Sequence, residues 1–174
     1  MRKIVTIFGS SVPLHREEQY EIAYKLGAIL AKNNLDVCNG GNRGIMEAVS
    51  KSAVDNGGSA IGITLEGVFN NHNPYLTQHI VCKTLFERIT KLINTGDAFV
   101  ILQGGTGTLL ELASVWELMN KQFIKQKPFA CHGKLWSPLI DSMEEQLLLE
   151  KRKAGLIKYF DDIEECANYI IKNI

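Results

Sequence analysis

The chain is poor in the features that mark specialised proteins. Among its 174 residues are only four prolines and two tryptophans, and aromatic side chains make up 8%. The longest wholly apolar run is residues 98–102, far short of the ~20 residues that cross a bilayer. Charge of one sign is also missing: Lys+Arg and Asp+Glu stand at 19 each, and the pI is near 6.9. Without a net positive field there is no global source of attraction to nucleic acid or to an anionic membrane, and neither is expected as a partner. Residues 1–3 carry the charge of a secretion leader, but the apolar stretch after them ends at Gly9 and contains Thr6, so it falls below the roughly 7–15 residues such a leader needs. It reads as a first strand, and a cytoplasmic location is expected.

Paired metal or redox ligands are absent too. Cys38, Cys82, Cys131 and Cys166 form no C-x-x-C pair. His15, His72, His79 and His132 form no i, i+4 pair and no grouping with the cysteines. Neither a zinc site nor a dithiol centre is indicated, and no metal or cofactor is expected. The cysteines read as buried thiols in a reducing compartment, and the histidines as loop or surface residues.

What is present is an ordinary globular composition, 45% hydrophobic and 22% charged, at a length suited to one domain over residues 1–174. Short apolar runs at 4–8, 35–38, 60–63, 80–82 and 98–102 alternate with helical patterns. That alternation predicts a parallel sheet covered on both faces. Helical spacing is carried by Tyr20, Ala23, Leu26 and Leu30; by Ile45, Met46, Val49 and Ala53; by Leu85, Ile89 and Leu92; and by Leu109, Leu112, Val115 and Trp116. A sixth strand is expected at 129–131, with closing helices at 135–149 and 163–174. Trp116 and Trp136 read as packing or interface residues. Residues 64–77 form a long loop of the kind that serves as a lid or binding segment, and the charge-rich stretch 144–165 reads as a solvated helical face and turn.

Three glycine turns follow three of these strands: Gly9-Ser10-Ser11, Gly40-Gly41-Asn42-Arg43-Gly44 and Gly104-Gly105-Thr106-Gly107-Thr108. In a parallel sheet all strand C-termini share one edge, so the three turns converge there. A single such turn needs glycine for purely local reasons. Three together, with hydroxyls and helix N-termini alongside, describe an anion cradle. No Lys follows Gly107, so this is not a P-loop, and Leu110 stands where a dinucleotide fingerprint has its third glycine. Arg88 lies at the edge of its helix's apolar stripe, and Glu111 lies in the opening turns of the helix begun by the third glycine turn. Either alone would suggest a rim ion pair; beside the cradle they are candidates for catalysis.

The segment Gln103-Gly104-Gly105-Thr106-Gly107-Thr108-Leu109-Leu110-Glu111 resembles the P-G-G-x-G-T-x-x-E signature of the LOG ("lonely guy") family of cytokinin riboside 5′-monophosphate phosphoribohydrolases, formerly grouped as lysine decarboxylases. Gly9-Ser10-Ser11 is similar to that family's first-strand turn, and Gly40 to Met46 to its G-G-x-x-G-L-M turn. Leu85-Phe86-Glu87-Arg88, Asp97-Ala98-Phe99 and Lys127-Pro128 match further motifs in order. The departures are Gln103 for the usual Pro, Ile89 for the usual Lys and Phe86 for the common His.

The resemblance implies a Rossmann-like three-layer α/β fold with a mostly parallel sheet, a homodimer, and a nucleotide site on the strand C-terminal edge. It implies catalytic positions for Arg88 and Glu111, and phosphate, ribose and substrate contacts from Gly9, Ser10, Ser11, Gly41, Gly44, Met46, Gly104, Gly105, Thr106, Gly107 and Thr108. The implied reaction is metal-independent hydrolysis of the N-glycosidic bond of AMP or an N6-substituted AMP. Binding of a nucleotide without cleavage is the alternative. Decarboxylation is disfavoured, because the three turns offer no Lys to form a Schiff base.

Overall fold

The computed structural model describes residues 2–13, 17–67 and 73–174. His15 and His72, and the middle of the expected long loop, lie outside these residues. Seven strands form one sheet in the order β4-β3-β2-β1-β5-β6-β7, and every adjacent pair is parallel. They are β1 (Lys3–Phe8), β2 (Leu35–Asn39), β3 (Ala60–Leu65), β4 (Gln78–Cys82), β5 (Ala98–Ile101), β6 (Phe129–His132) and β7 (Lys158–Phe160). The helices are α1 (Glu18–Lys32), α2 (Ile45–Asp55), α3 (Leu85–Thr95), α4 (Thr106–Asn120), α5 (Ser137–Leu149) and α6 (Ile163–Asn173). This is the expected Rossmann-like three-layer α/β fold, with the sheet parallel throughout the described strands.

Period-two alternation sorts the core into two layers. Val5 and Ile7 of β1 pack under α1, α2 and α6 with Leu26, Leu30 and Val49, whereas Phe8 and Phe99 pack under α3 and α4 with Leu92, Leu112 and Trp116. All four cysteines are free and buried, as expected; burial pushes the thiols of Cys38 and Cys166 up to about 12. Among the described residues no helix is long and apolar enough to cross a membrane.

Four expectations need correction. Thr64 belongs to β3 rather than to the loop; it is 1% exposed and its hydroxyl lies 2.7 Å from His79 Nε2. β3 passes to its parallel neighbour β4 with no helix among the described residues between them. The stretch 144–165 contains β7, an edge strand of three residues too short to show periodicity. His132 is no surface residue, because it closes β6 and is 6% exposed.

Several matched motif residues prove to be architectural. Asp97 accepts from Ile4 N at 3.0 Å and Lys3 Nζ at 3.2 Å, clamping the start of β1 beside β5. Lys127 donates its ammonium to Gly96 O at the C-cap of α3, where a cation suits the helix dipole. Thr84 caps α3 by accepting from Glu87 N, and Glu87 accepts in return from Lys83 N at 2.8 Å. This variant of the capping box fixes where α3 begins, and therefore which way Arg88 faces.

Candidate functional site

β1 lies between β2 and β5, so the chain runs outward to one side of β1 and then to the other. The crevice at such a reversal, beyond the strand C-termini, is where open α/β sheets bind ligands. The turns after β1 and β5 leave toward opposite faces, since α1 packs in one layer and α4 in the other.

Ser10 ties the three turns together. Its N–H donates to Gln103 O at 2.9 Å, its carbonyl accepts from Ile45 N at 3.0 Å, and its hydroxyl accepts from Val12 N at 3.1 Å. The turns thus meet at one edge, as their spacing predicted. The second turn is buried and internally bonded. Asn39 Oδ1 accepts from Gly41 N at 2.9 Å, while Asn39 Nδ2 donates to Ser50 Oγ at 2.9 Å and to Met46 O at 3.2 Å. Asn73, where description of the long loop resumes, donates its backbone N–H to Gly41 O and its Nδ2 to Met46 O. Neither asparagine was singled out from the sequence, although an Asn directly before Gly-Gly is the signal of an Asx turn.

The third turn is open. Gly105 is the N-cap of α4, no side chain among the described residues caps that helix, and Gly105, Thr106 and Gly107 are exposed. Its first N–H groups are therefore available to an anion, with the helix dipole behind them. Thr108 is 4% exposed and packs its hydroxyl over Gly104.

Arg88 and Glu111, from α3 and α4, are brought together. Arg88 Nη1 lies 3.3 Å from Glu111 Oε1, and Arg88 Nε donates to Ile63 O at 2.8 Å. Their side chains are only 14% and 12% exposed. Burial raises the Glu111 carboxyl to about 7, against the lowering effect of the Arg88 guanidinium. A carboxyl near neutrality beside a fixed cation suits proton transfer or stabilisation of positive charge. Met46 is 6% exposed and its sulfur lies against Gly40, beside the same guanidinium. Ile89 points elsewhere, being 5% exposed within the apolar core. Among the described residues no group of His, Cys, Asp and Glu could hold a metal ion.

Known proteins are similar to this chain in sequence and in fold. A cytokinin riboside 5′-monophosphate phosphoribohydrolase of Rhodococcoides fascians is 30% identical over 117 residues, 65% of this chain and 59% of its own length. The chain thus matches about three-fifths of that relative. TM1055, a structural-genomics target solved by X-ray, superposes with a TM-score of 0.75 at 26% identity over 98% of this chain and 99% of its own. The molybdenum cofactor carrier protein of Chlamydomonas reinhardtii shares the fold at a TM-score of 0.78 and 19% identity, covering 99% and 98% of the two chains. The model of the SLOG cluster4 family matches residues 2–154, from the first strand past all three glycine turns and the Arg88–Glu111 pair, and to that family the chain belongs.

Proposed function

We propose that the protein is a nucleoside 5′-monophosphate phosphoribohydrolase acting on AMP or an N6-substituted AMP. The observation that carries the reading is the buried Glu111 carboxyl, held by Arg88 and raised to about 7, beside the uncapped N-terminus of α4. The phosphate sits on the N–H groups of Thr106, Gly107 and Thr108, with Ser10 and Ser11 across the crevice. The C1′–N bond breaks with its electron pair passing to the base, leaving oxocarbenium character on the ribose. The Glu111 carboxylate stabilises that charge and orients water, whose hydroxide adds to C1′ while its proton goes to the base. Arg88 holds the carboxylate in place. Free base and ribose 5-phosphate are the products, with no metal in the reaction. A panel of nucleoside monophosphates assayed for free base tests this, and no release from any member overturns it.

Binding without cleavage is the second reading, favoured by the exposed Gln103 and the core residue Ile89 where the family signature has Pro and Lys. In that case the panel shows affinity without turnover.

A homodimer is part of the proposal. Leu109, Leu112, Trp116, Leu139, Met143 and Leu147 line an apolar groove of about 620 Å³ between α4 and α5, away from the chemistry. An open apolar groove is characteristic of an interface. Light scattering at micromolar concentration is expected to give twice the 19.4 kDa chain mass; a monomer overturns it.

A further inference from the structure

A second polar cavity of about 540 Å³ opens on the strand C-terminal edge, within the roughly 300–1,000 Å³ range of small-molecule sites. His132, Gln103 and Gln19 line it together with the charged residues Glu18, Asp161 and Lys134. It lies across the sheet from the Arg88–Glu111 pair. Ala130 of β6 packs in the layer of α1 and α6, and Phe129 and Cys131 in the other, so alternation puts His132 on the α1 and α6 side. Gln103 borders both sites, since Gly104 follows it and its carbonyl accepts from Ser10 N.

His132 is the informative residue, 94% buried by its 6% exposure. Its Nε2 lies 3.1 Å from Asp161 O. A carbonyl only accepts, so Nε2 carries the proton and Nδ1 presents a lone pair. That Nδ1 is buried and finds no partner among the described residues. Burial lowers the pKa of the ring, which keeps Nδ1 an acceptor at neutral pH. A buried acceptor left unpaired is costly, and a ligand N–H would relieve it.

The surroundings define the ligand further. Glu18, Asp161 and Asp162 outnumber Lys134, so an anion is disfavoured, in contrast to the exposed third glycine turn. The Asp162 carboxylate is occupied in capping α6, and that of Asp161 accepts from the Tyr159 hydroxyl. Glu18 and Lys134, both exposed and opposite in sign, offset one another, and the remaining unpaired groups among the described residues are the His132 acceptor and the carboxamides of Gln19 and Gln103. A carboxamide pairs in two-point fashion with an amino group beside a ring nitrogen. We infer that this cavity is a binding site for a neutral amino-substituted heterocycle, separate from the phosphate site and contiguous with it through Gln103.

The test uses the full chain labelled with 15N-histidine and titrated with 2-aminopyrimidine, spermidine or orthophosphate, with His132→Leu identifying the resonances. The expected result is a saturable shift of the His132 Nδ1 signal with 2-aminopyrimidine. Gln19→Trp, which replaces a lining carboxamide with a bulky ring, should weaken binding at least about tenfold, the loss expected when a paired polar contact is denied. Leu135→Trp, at another lining residue, serves the same purpose should the first variant unfold. AMP affinity measured by calorimetry on the same preparations should be unchanged, so failure here is distinguishable from failure of the phosphoribohydrolase reading. Absence of a saturable shift, a shift that survives both tryptophans, or tighter binding of spermidine or phosphate at His132 overturns the assignment.

Discussion

The second and third glycine turns look alike in sequence and differ in physical duty. In the second, a Cβ on Gly40 would fall on the Arg88 guanidinium and 2.9 Å from Met46 Sδ. Gly41 and Gly44 hold φ of 72° and 65°, and a Cβ on Gly44 would lie 2.6–2.8 Å from the backbone of Ser10 and Ser11. In the third turn, a Cβ on Gly105 or Gly107 would meet no atom of the described residues within 4 Å. The inner glycines let the protein close on itself and seat Arg88; the outer ones leave space at an exposed helix N-terminus. One residue type thus serves close packing in one turn and leaves open space in the other, and a motif match alone does not separate the two.

The largest effect is expected at the pair that the inner turn seats. Glu111→Gln keeps the side-chain shape and removes the charge, so base release should fall about 10²–10³-fold, as when a transition-state contact is deleted. Fold and AMP affinity should survive. Undiminished turnover in the variant would show that another group stabilises the transition state. Next comes Gly107→Val in the outer turn. It should weaken AMP binding about ten- to hundredfold, the range of hydrogen bonds to a charged group, and leave the melting temperature unmoved. Equal affinity of the unmodified protein for AMP and adenosine would remove the phosphate cradle altogether.

The same contrast explains how far the sequence could be read. Long strands and helices were legible because each carries apolar residues at its own period, and the turns because glycine and hydroxyl residues cluster after strands. β7 was not legible, since Lys158-Tyr159-Phe160 is too short to alternate. Asn39 carries only the local sign of an Asx turn before Gly-Gly, and Asn73 carries none, because its partners are backbone groups of a buried turn distant in sequence. The resemblance implies duties for Arg88, Glu111 and the glycine turns, but none for the other residues of its motifs. Glu87, Asp97 and Lys127 sit in matched motifs beside Arg88 yet cap, clamp and terminate elements. His132 was misassigned because a lone histidine at the end of a strand carries no periodic sign of burial.

Breaking the inner turn itself should read out in stability rather than in affinity. Gly44→Ala forces a side chain into a left-handed conformation against the Ser10–Ser11 backbone. Strain of that kind costs about 1–3 kcal/mol, and at ~2–4 °C per kcal/mol for a chain of this size the melting temperature should drop by several degrees. Calorimetric scans of Gly44→Ala and Gly105→Ala side by side would sharpen the comparison. An equal fall in both would mean that the outer turn is packed as tightly as the inner one.

The smallest effect concerns pH. The folded-state pKa of Glu111, about 7, lies above its ordinary value of 4.5. A raised carboxyl favours folding most where it is protonated in both states, below about 4.5. As pH climbs from there toward 7 the unfolded chain releases its proton while the folded chain retains it, so this contribution is lost and is gone above 7. Asp55 and Asp162, whose pKa values are lowered by hydrogen bonds from Lys51 and from the Glu165 backbone respectively, act in the opposite sense, losing stability as pH falls. Raw melting curves therefore mix the two trends, but subtracting Glu111→Gln isolates one of them. The melting temperature of the unmodified protein minus that of the variant should decline between pH 4.5 and 7 and level off above it. Gly107→Val should show the same decline as the unmodified protein, because it leaves the buried pair intact. Gly40→Ala should extend it above pH 7, because the added methyl displaces Arg88, whose guanidinium holds the Glu111 pKa down. A difference that stays flat across this range would mean that Glu111 is solvated in the folded protein and that the inner turn does not bury it.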